Sequence, residues 1–325
     1  MLSQPLDRRR FAGLLAGGAA LLAGLPRARA AGAAFAMQAS WVNDAEFIGY
    51  FVAKEKGYYR AAGIDLDILP GGPDVIPESA LLAGKAPLAL TTPDTTIKAI
   101  TTQGAKFRII GAQYQRSPLG VISLAETPIR TPAELIGKTV AVPPVNTATI
   151  HALLKLNGIE RNAVRLVPYQ FDPTPLLRGE VDATVDFVTD MPYSIALQGK
   201  QAVSFLLYDF GITLYNDTVT VTEAFLAANR PLLVNWLRAS RQGWAENFKD
   251  TTAYPAAFKD SWFKGTGRDT ANDQFSNAAN KPLMESPDGL FAMTEAAIGR
   301  NIEYLQSIGL AATRAMFDTT LLAEL

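Results

Sequence analysis

The chain has 325 residues, with 30 basic and 31 acidic side chains, one histidine and no cysteine. Without thiols there can be neither disulfides nor a lipid-modified cysteine, so stability must come from core packing. With His151 as the sole imidazole, a transition-metal site would need mostly carboxylates, and no Ser-His-Asp set can be assembled without it.

The first thirty residues read as an export signal rather than as part of the fold. Arg8-Arg9-Arg10-Phe11 fits the twin-arginine pattern, Ala12 to Leu25 is a short apolar core, and Ala28-Arg29-Ala30 offers a small-residue cleavage site. The apolar core is too short and too rich in Ala and Gly for a stable membrane span. Cleavage after Ala30 removes five arginines and one aspartate, leaving 25 basic and 30 acidic residues and a net charge of −5. That balance argues against nucleic acid or an acidic membrane as partner. About 295 remaining residues suffice for two domains with buried cores.

The mature part opens with a strand at Phe35–Ala39, then the polar loop Trp41-Val42-Asn43-Asp44-Ala45-Glu46-Phe47. A helix through Tyr50–Lys56 is closed by Gly57, and a further helical turn ends at Gly63. Ile64–Leu69 alternates apolar and acidic residues like a strand, and Pro70-Gly71-Gly72-Pro73-Asp74 stops it and is expected to open the next helix. Leu88–Leu90 is a third, buried strand ending in Thr91-Thr92-Pro93-Asp94. Two βα units thus place polar loops at the carboxyl ends of parallel strands, where open α/β sheets take ligands.

The same layout recurs ninety-five residues later. Leu81–Ala86, Pro87–Leu90 and Thr91–Asp94 are matched by Leu176–Val181, Asp182–Val185 and Asp186–Thr189: helix, short strand, polar end. Two copies of one α/β plan predict two similar lobes. Extended chain should cross between them twice, through Phe107–Ala112 to Leu119–Ser123 and through Val203–Leu207 to Val219–Val221. Helices then follow from Glu223, from Pro231 through Ala245, and over Thr294–Ile308 with Ala297, Ile298, Ile302, Leu305 and Ile308 at helical spacing. The expected division is lobe I over 31–118 and 218–325 and lobe II over 119–217, closing about a two-stranded hinge.

The runs GYFVAKEKGYYRAAGIDLDILPGGP, LLAGKAPLAL, LIGKTVAVPPVNTATIHALLKLNGI, PLLRGEVDATV and DFGITLYNDTVTVTEAFLAANRPLLVNWLRASRQGWAE carry a resemblance covering nearly all of the mature chain. They resemble periplasmic substrate-binding proteins of the nitrate/sulfonate/taurine and thiamine-pyrimidine-precursor group. The resemblance implies a two-lobed type II clamshell with a mostly parallel, helix-flanked sheet in each lobe. It also implies a monomeric periplasmic receptor without cofactor, handing its ligand to the membrane permease of an ABC importer. A eukaryotic branch of this fold makes the thiamine pyrimidine itself, but is understood to use a cysteine-rich motif that this chain lacks.

The cleft is expected to draw Trp41, Asn43, Asp44, Glu46, Phe47, Gly71, Gly72, Thr92 and Asp94 from lobe I, and Tyr114 from the first hinge. From lobe II come Asn146, Thr147, Asp172, Asp186, Phe187 and Asp190. Trp41 and Phe47 offer flat faces for a planar ring, with a core role for Trp41 as the competing reading. Gly71-Gly72 is either a turn or a close approach to ligand; Asn146 and Thr147 are helix-capping types by default. These loops hold Asp44, Glu46, Asp74, Asp94, Asp172, Asp186 and Asp190 but no basic residue except Arg116 near the hinge. Aromatic walls with carboxylate acceptors suit a heteroaromatic amine or a cation better than a sulfonate or nitrate.

Overall fold

Ile64-Asp65-Leu66-Asp67-Ile68 buries its aliphatic side chains and exposes its aspartates, as the two-residue period of a half-covered strand requires. A computed structural model describes residues 32–169 and 171–325; the export signal expected over 1–30 lies outside the described residues. In chain order the strands are β1 (Ala33–Gln38), β2 (Ile64–Leu69), β3 (Leu88–Thr91), β4 (Phe107–Tyr114), β5 (Leu119–Leu124), β6 (Thr139–Val142), β7 (Arg165–Pro168), β8 (Ala183–Phe187), β9 (Ala202–Leu206) and β10 (Asn216–Thr222).

They form two five-stranded sheets, ordered β2-β1-β3-β10-β4 and β7-β6-β8-β5-β9. The two orders are one plan used twice, with β3 and β8 of the 95-residue repeat in the central place of each. Each sheet is parallel except for one strand: β10 runs antiparallel to β3 and β4, and β5 antiparallel to β8 and β9. That odd strand is in each case the one entering from the other sheet. The result is a two-lobed α/β clamshell. Arg116 between β4 and β5 pairs with Asp209 between β9 and β10 and lies 5.3 Å from the Tyr208 ring. It ties the two crossings together.

Close helix packing fixes the first lobe. The helix Ile48–Glu55 lies along the helix Glu223–Asn247, and glycine sets their separation. A Cβ at Gly243 would sit 2.1 Å from the Gly49 carbonyl oxygen, and one at Gly49 would sit 2.2 Å from the Trp244 ring. Tyr50 stacks on Trp236 at 5.7 Å and meets Trp244 edge-on at 5.9 Å. The helices expected from Glu223 and from Pro231 are one element bent at Asn229 (φ −131°), because Pro231 supplies no N–H and crowds the preceding turn.

The helix Glu295–Ser307 buries Ile298 and Leu305 completely, in a cluster shared with Ile109 of one sheet and Val121 and Val140 of the other. Its Asn301 Oδ1 accepts the Tyr215 backbone N–H at 3.0 Å, which braces the second crossing. One boundary is corrected: the helix after β2 starts at Pro77, not at Asp74, since proline is preorganised for a first helical turn. Among the described residues no helix is long and apolar enough to cross a membrane.

Gly243→Ala should force the two helices apart and lower unfolding free energy by about 1–3 kcal/mol. Urea unfolding of both proteins measures this; unchanged stability would contradict the close approach.

Candidate ligand-binding cleft

The loop after β1 turns inward because Asp44 caps it. The Glu46 backbone N–H donates to Asp44 Oδ1 at 2.8 Å, starting the short 3-10 turn Ala45–Phe47. Both acids are thereby buried, Asp44 at 5% and Glu46 at 8% exposure. Asp217, near the head of β10, is also buried and adopts φ 44°, uncommon for a residue with a side chain. Ser40 Oγ donates to Asp217 Oδ1 at 2.7 Å and Gln113 Nε2 to Oδ2 at 3.2 Å. Gln113 is itself fixed, donating to the Glu46 carbonyl at 2.8 Å and accepting the Tyr50 hydroxyl at 2.6 Å.

These carboxyls are held away from their usual ionisation. Burial pushes Asp44 up to about 7, with the Arg268 guanidinium working against the rise. Burial also raises Glu46 well above the usual carboxylate range, and the neighbouring Asp217 carboxyl adds to it. Burial also raises Asp217, offset by hydrogen bonds from Glu46 and Ser40. A hydrogen bond between two carboxyls needs a proton on one of them, so Glu46 and Asp217 titrate as a pair. In the second lobe burial pushes Asp186 up to about 7, although the Phe187 N–H and the Tyr169 hydroxyl, at 2.7 and 2.9 Å, favour its charged form.

Aromatic rings from both lobes meet as well. Trp41 is half-buried against the first-lobe core and meets Phe171 of the second lobe at 5.1 Å and 55°. Trp41 thus packs on the core, as the competing reading had it, and its ring also reaches the second lobe. Phe171 stands 5.5 Å from Tyr169, is 42% exposed and has φ 58°, a conformation that persists only where the surroundings impose it. Asn43 Oδ1 and the Tyr114 hydroxyl are buried with no hydrogen-bond partner among the described residues, a rare condition that an incoming donor or acceptor relieves.

The charge balance expected from sequence needs a correction, because one arginine does enter the cleft. Arg268 Nε donates to Asp273 Oδ1 at 3.0 Å, and its two terminal nitrogens reach Asp190 Oδ2 and Oδ1 at 2.8 and 2.7 Å. The Asp44 carboxylate lies 3.9 Å away. No local pattern could have announced Arg268, which meets Asp190 across 78 residues of sequence. Asp217 lies two residues before the expected strand Val219–Val221, because β10 starts earlier, at Asn216.

The other expected residues divide clearly. Phe47 is fully buried in the first-lobe core, so it presents no face to ligand: the 3-10 turn points it inward. Tyr114 is likewise buried, leaving only its hydroxyl beside the acids. Gly71 donates to the Trp41 carbonyl at 2.7 Å, and a Cβ there would lie 2.6 Å from the Ala39 carbonyl and the Trp41 nitrogen. Its close approach is to its own chain; buried Gly72 extends the same turn. Thr92 bonds Thr95 at the start of the helix Pro93–Gln103, where Asp94 lies in the first turn. Asn146 and Thr147 are half-buried at the start of the helix Thr147–Leu156, and Asn146 makes no side-chain cap bond. Asp172 is exposed and accepts the Thr174 N–H at 2.9 Å. Phe187 is half-buried beside Asp186. Both oxygens of Asp190 are taken by Arg268.

Two lobes of this topology around such a cleft have the periplasmic binding protein fold. The chain matches the NMT1/THI5-like family over residues 44–253 and belongs to it. It is 27% identical over 221 residues to the riboflavin-binding protein RibY of Chloroflexus aurantiacus, covering 66% of this chain and 62% of that protein. It is 28% identical over 212 residues to a formylaminopyrimidine-binding protein of Halalkalibacterium halodurans, covering 63% of each. The match thus spans under two thirds of either relative. Among solved structures, the periplasmic aliphatic sulphonate binding protein SsuA from Escherichia coli superposes with a TM-score of 0.66 at 17% identity, over 84% of this chain and 85% of that one. At that identity the likeness concerns the fold alone.

Between pH about 4 and about 7 the folded protein keeps a proton on Asp44 that the unfolded chain has released, so stability should fall as pH rises through this window. Asp44→Asn should flatten that slope, removing about 2–4 kcal/mol of the change. Urea unfolding of both proteins from pH 4 to 8 checks it; parallel slopes would show Asp44 to be ordinarily ionised.

Proposed function

We propose that the protein is the solute receptor of an ABC-type importer, exported to the periplasm. It captures a small heteroaromatic compound bearing amine or ring N–H donors, of the thiamine-pyrimidine-precursor class, and hands it to a membrane permease. The observation that carries this reading is the pairing of Trp41 and Phe171 with buried Asp44, Glu46 and Asp217 and half-buried Asp186. Flat faces take a ring by stacking, and protonatable carboxyls accept its N–H groups. Asn43 Oδ1 adds an acceptor with no partner among the described residues. The two relatives support the same class, since riboflavin and formylaminopyrimidine are both planar nitrogen heterocycles.

A small anion such as sulfonate, taurine or nitrate fits this cleft poorly. The donors of Arg268 are already committed to Asp190 and Asp273, and an anion would have to lie among buried acids. Catalysis is not part of the reading. The single histidine, His151, accepts from Arg161 Nε at 2.8 Å on the helix Thr147–Leu156, and the thiamine-pyrimidine synthase route calls for cysteines the chain does not have.

Thermal denaturation with aminopyrimidines, flavins, sulfonates, taurine and nitrate tests the ligand class. A hundredfold excess of the right ligand over its Kd should raise Tm by about 5 °C or more, and Trp41→Ala should weaken binding about tenfold. A shift with sulfonate or nitrate alone would overturn the reading.

A further inference from the structure

Arg268 is anchored in the first lobe. It precedes the helix Thr270–Met284, which packs on the Ala45–Phe47 turn and contributes Leu283 and Met284 to the first-lobe core. Asp273 holds its Nε, and Asn272 Oδ1 and Ser276 Oγ lie 3.3 and 3.1 Å from Nη2. Asp190 belongs to the second lobe, between β8 and the helix Met191–Leu197. The fork therefore spans the cleft, with both partners largely shielded: Arg268 is 14% and Asp190 28% exposed. Tyr193 of the same second-lobe helix adds to this contact, its hydroxyl 3.5 Å from Asp269 and its ring 5.6 Å from Phe275.

We propose that the Arg268–Asp190 pair is an interlobe latch, which sets how tightly the receptor grips any ligand by favouring the closed arrangement without touching the ligand. Three features make the pair suited to this. Two parallel N–H···O bonds fix orientation as well as distance, so the pair specifies one closed geometry instead of a loose association. It joins the lobes through protein atoms alone and needs no third molecule. The guanidinium also has company when the lobes part. Asp273, at 3.0 Å, stays with it in the first lobe, so opening strands no buried cation. Opening then breaks the bidentate pair, with the weaker Ser276–Asp190 and Tyr193–Asp269 contacts beside it, and the Asp190 end moves into water, which keeps the motion reversible. Because apparent affinity scales with the population of the competent state, loss of the latch weakens every ligand of the cleft in proportion, whatever its chemistry.

The absence of native cysteine permits clean labelling. Leu82→Cys and Leu197→Cys, at exposed positions of the two lobes, carry spin labels whose separation is read by pulsed electron spin resonance on the ligand-free protein. The parent should show a predominantly short, narrow distance distribution. Asp190→Asn, which leaves the Arg268–Asp273 pair intact, should shift it to longer and broader distances. Arg268→Lys, keeping the charge without the fork, should fall between, and Lys200→Gln, on a surface pair with Glu126, should match the parent. A parent that is already open, or an Asp190→Asn distribution identical to the parent's, would overturn the latch. Neither result depends on which solute the cleft takes, so the ligand class stands or falls separately.

Discussion

Asp44, Glu46, Asp186 and Asp217 crowd toward a cleft that holds one guanidinium, and burial raises the pKa of each of these four carboxyls. At an effective dielectric of about 20, two like charges 4 Å apart repel by about 4 kcal/mol. Arg268 answers for Asp190 and Asp273 directly. The remaining acids keep protons at a pH where free carboxylates have lost them, as the rise of Asp44 and Asp186 to about 7 reflects. Closing the lobes and protonating the acids are therefore linked. A ligand that brings N–H donors or positive charge substitutes for those protons, whereas an anion adds to the deficit.

The scaffold exists to hold that loop still. The Gly49–Gly243 approach lets the helix Ile48–Glu55 lie directly on its partner, and that helix begins one residue after the acid-bearing turn. Behind it, Thr91, Thr96, Thr218 and Thr220 exchange hydroxyl hydrogen bonds between β3, β10 and the helix Pro93–Gln103, so the end of the sheet beneath the acids is satisfied without water. Asp217 takes its uncommon backbone conformation at this junction, where β10 arrives from the other lobe. One residue thus reports on both the hinge and the cleft.

Local pattern was enough to read the architecture. The alternation of Ile64–Leu69 and the repeat of helix, short strand and polar end around Gly84 and Gly179 are properties of neighbouring residues. Trp41, Asn43, Asp44 and Glu46 likewise share one loop. What escaped depends on contacts that sequence does not encode locally. Gly71 is glycine because the backbone of Ala39–Trp41 passes within van der Waals reach, a fact about two loops. Phe47 sits among polar residues yet turns inward, because three residues of 3-10 helix reverse its direction. Arg268 lies in a stretch without periodicity, and its meaning comes from Asp190 on the far lobe.

The aromatic pair and the ion pair constrain each other. A planar ligand held between Trp41 and Phe171 would need the rings roughly 7 Å apart, two carbon–carbon contact distances, against the 5.1 Å between their centroids. Opening the whole clamshell by that difference would stretch the Arg268–Asp190 bonds from 2.7–2.8 Å beyond the range of a hydrogen bond. Both contacts can survive ligand entry if Phe171 moves by itself. It is the element best fitted to do so, being partly exposed and held at φ 58°, so a change to extended backbone releases local strain while the lobes stay fixed. A ligand can then trade places with one ring and leave the ion pair unbroken.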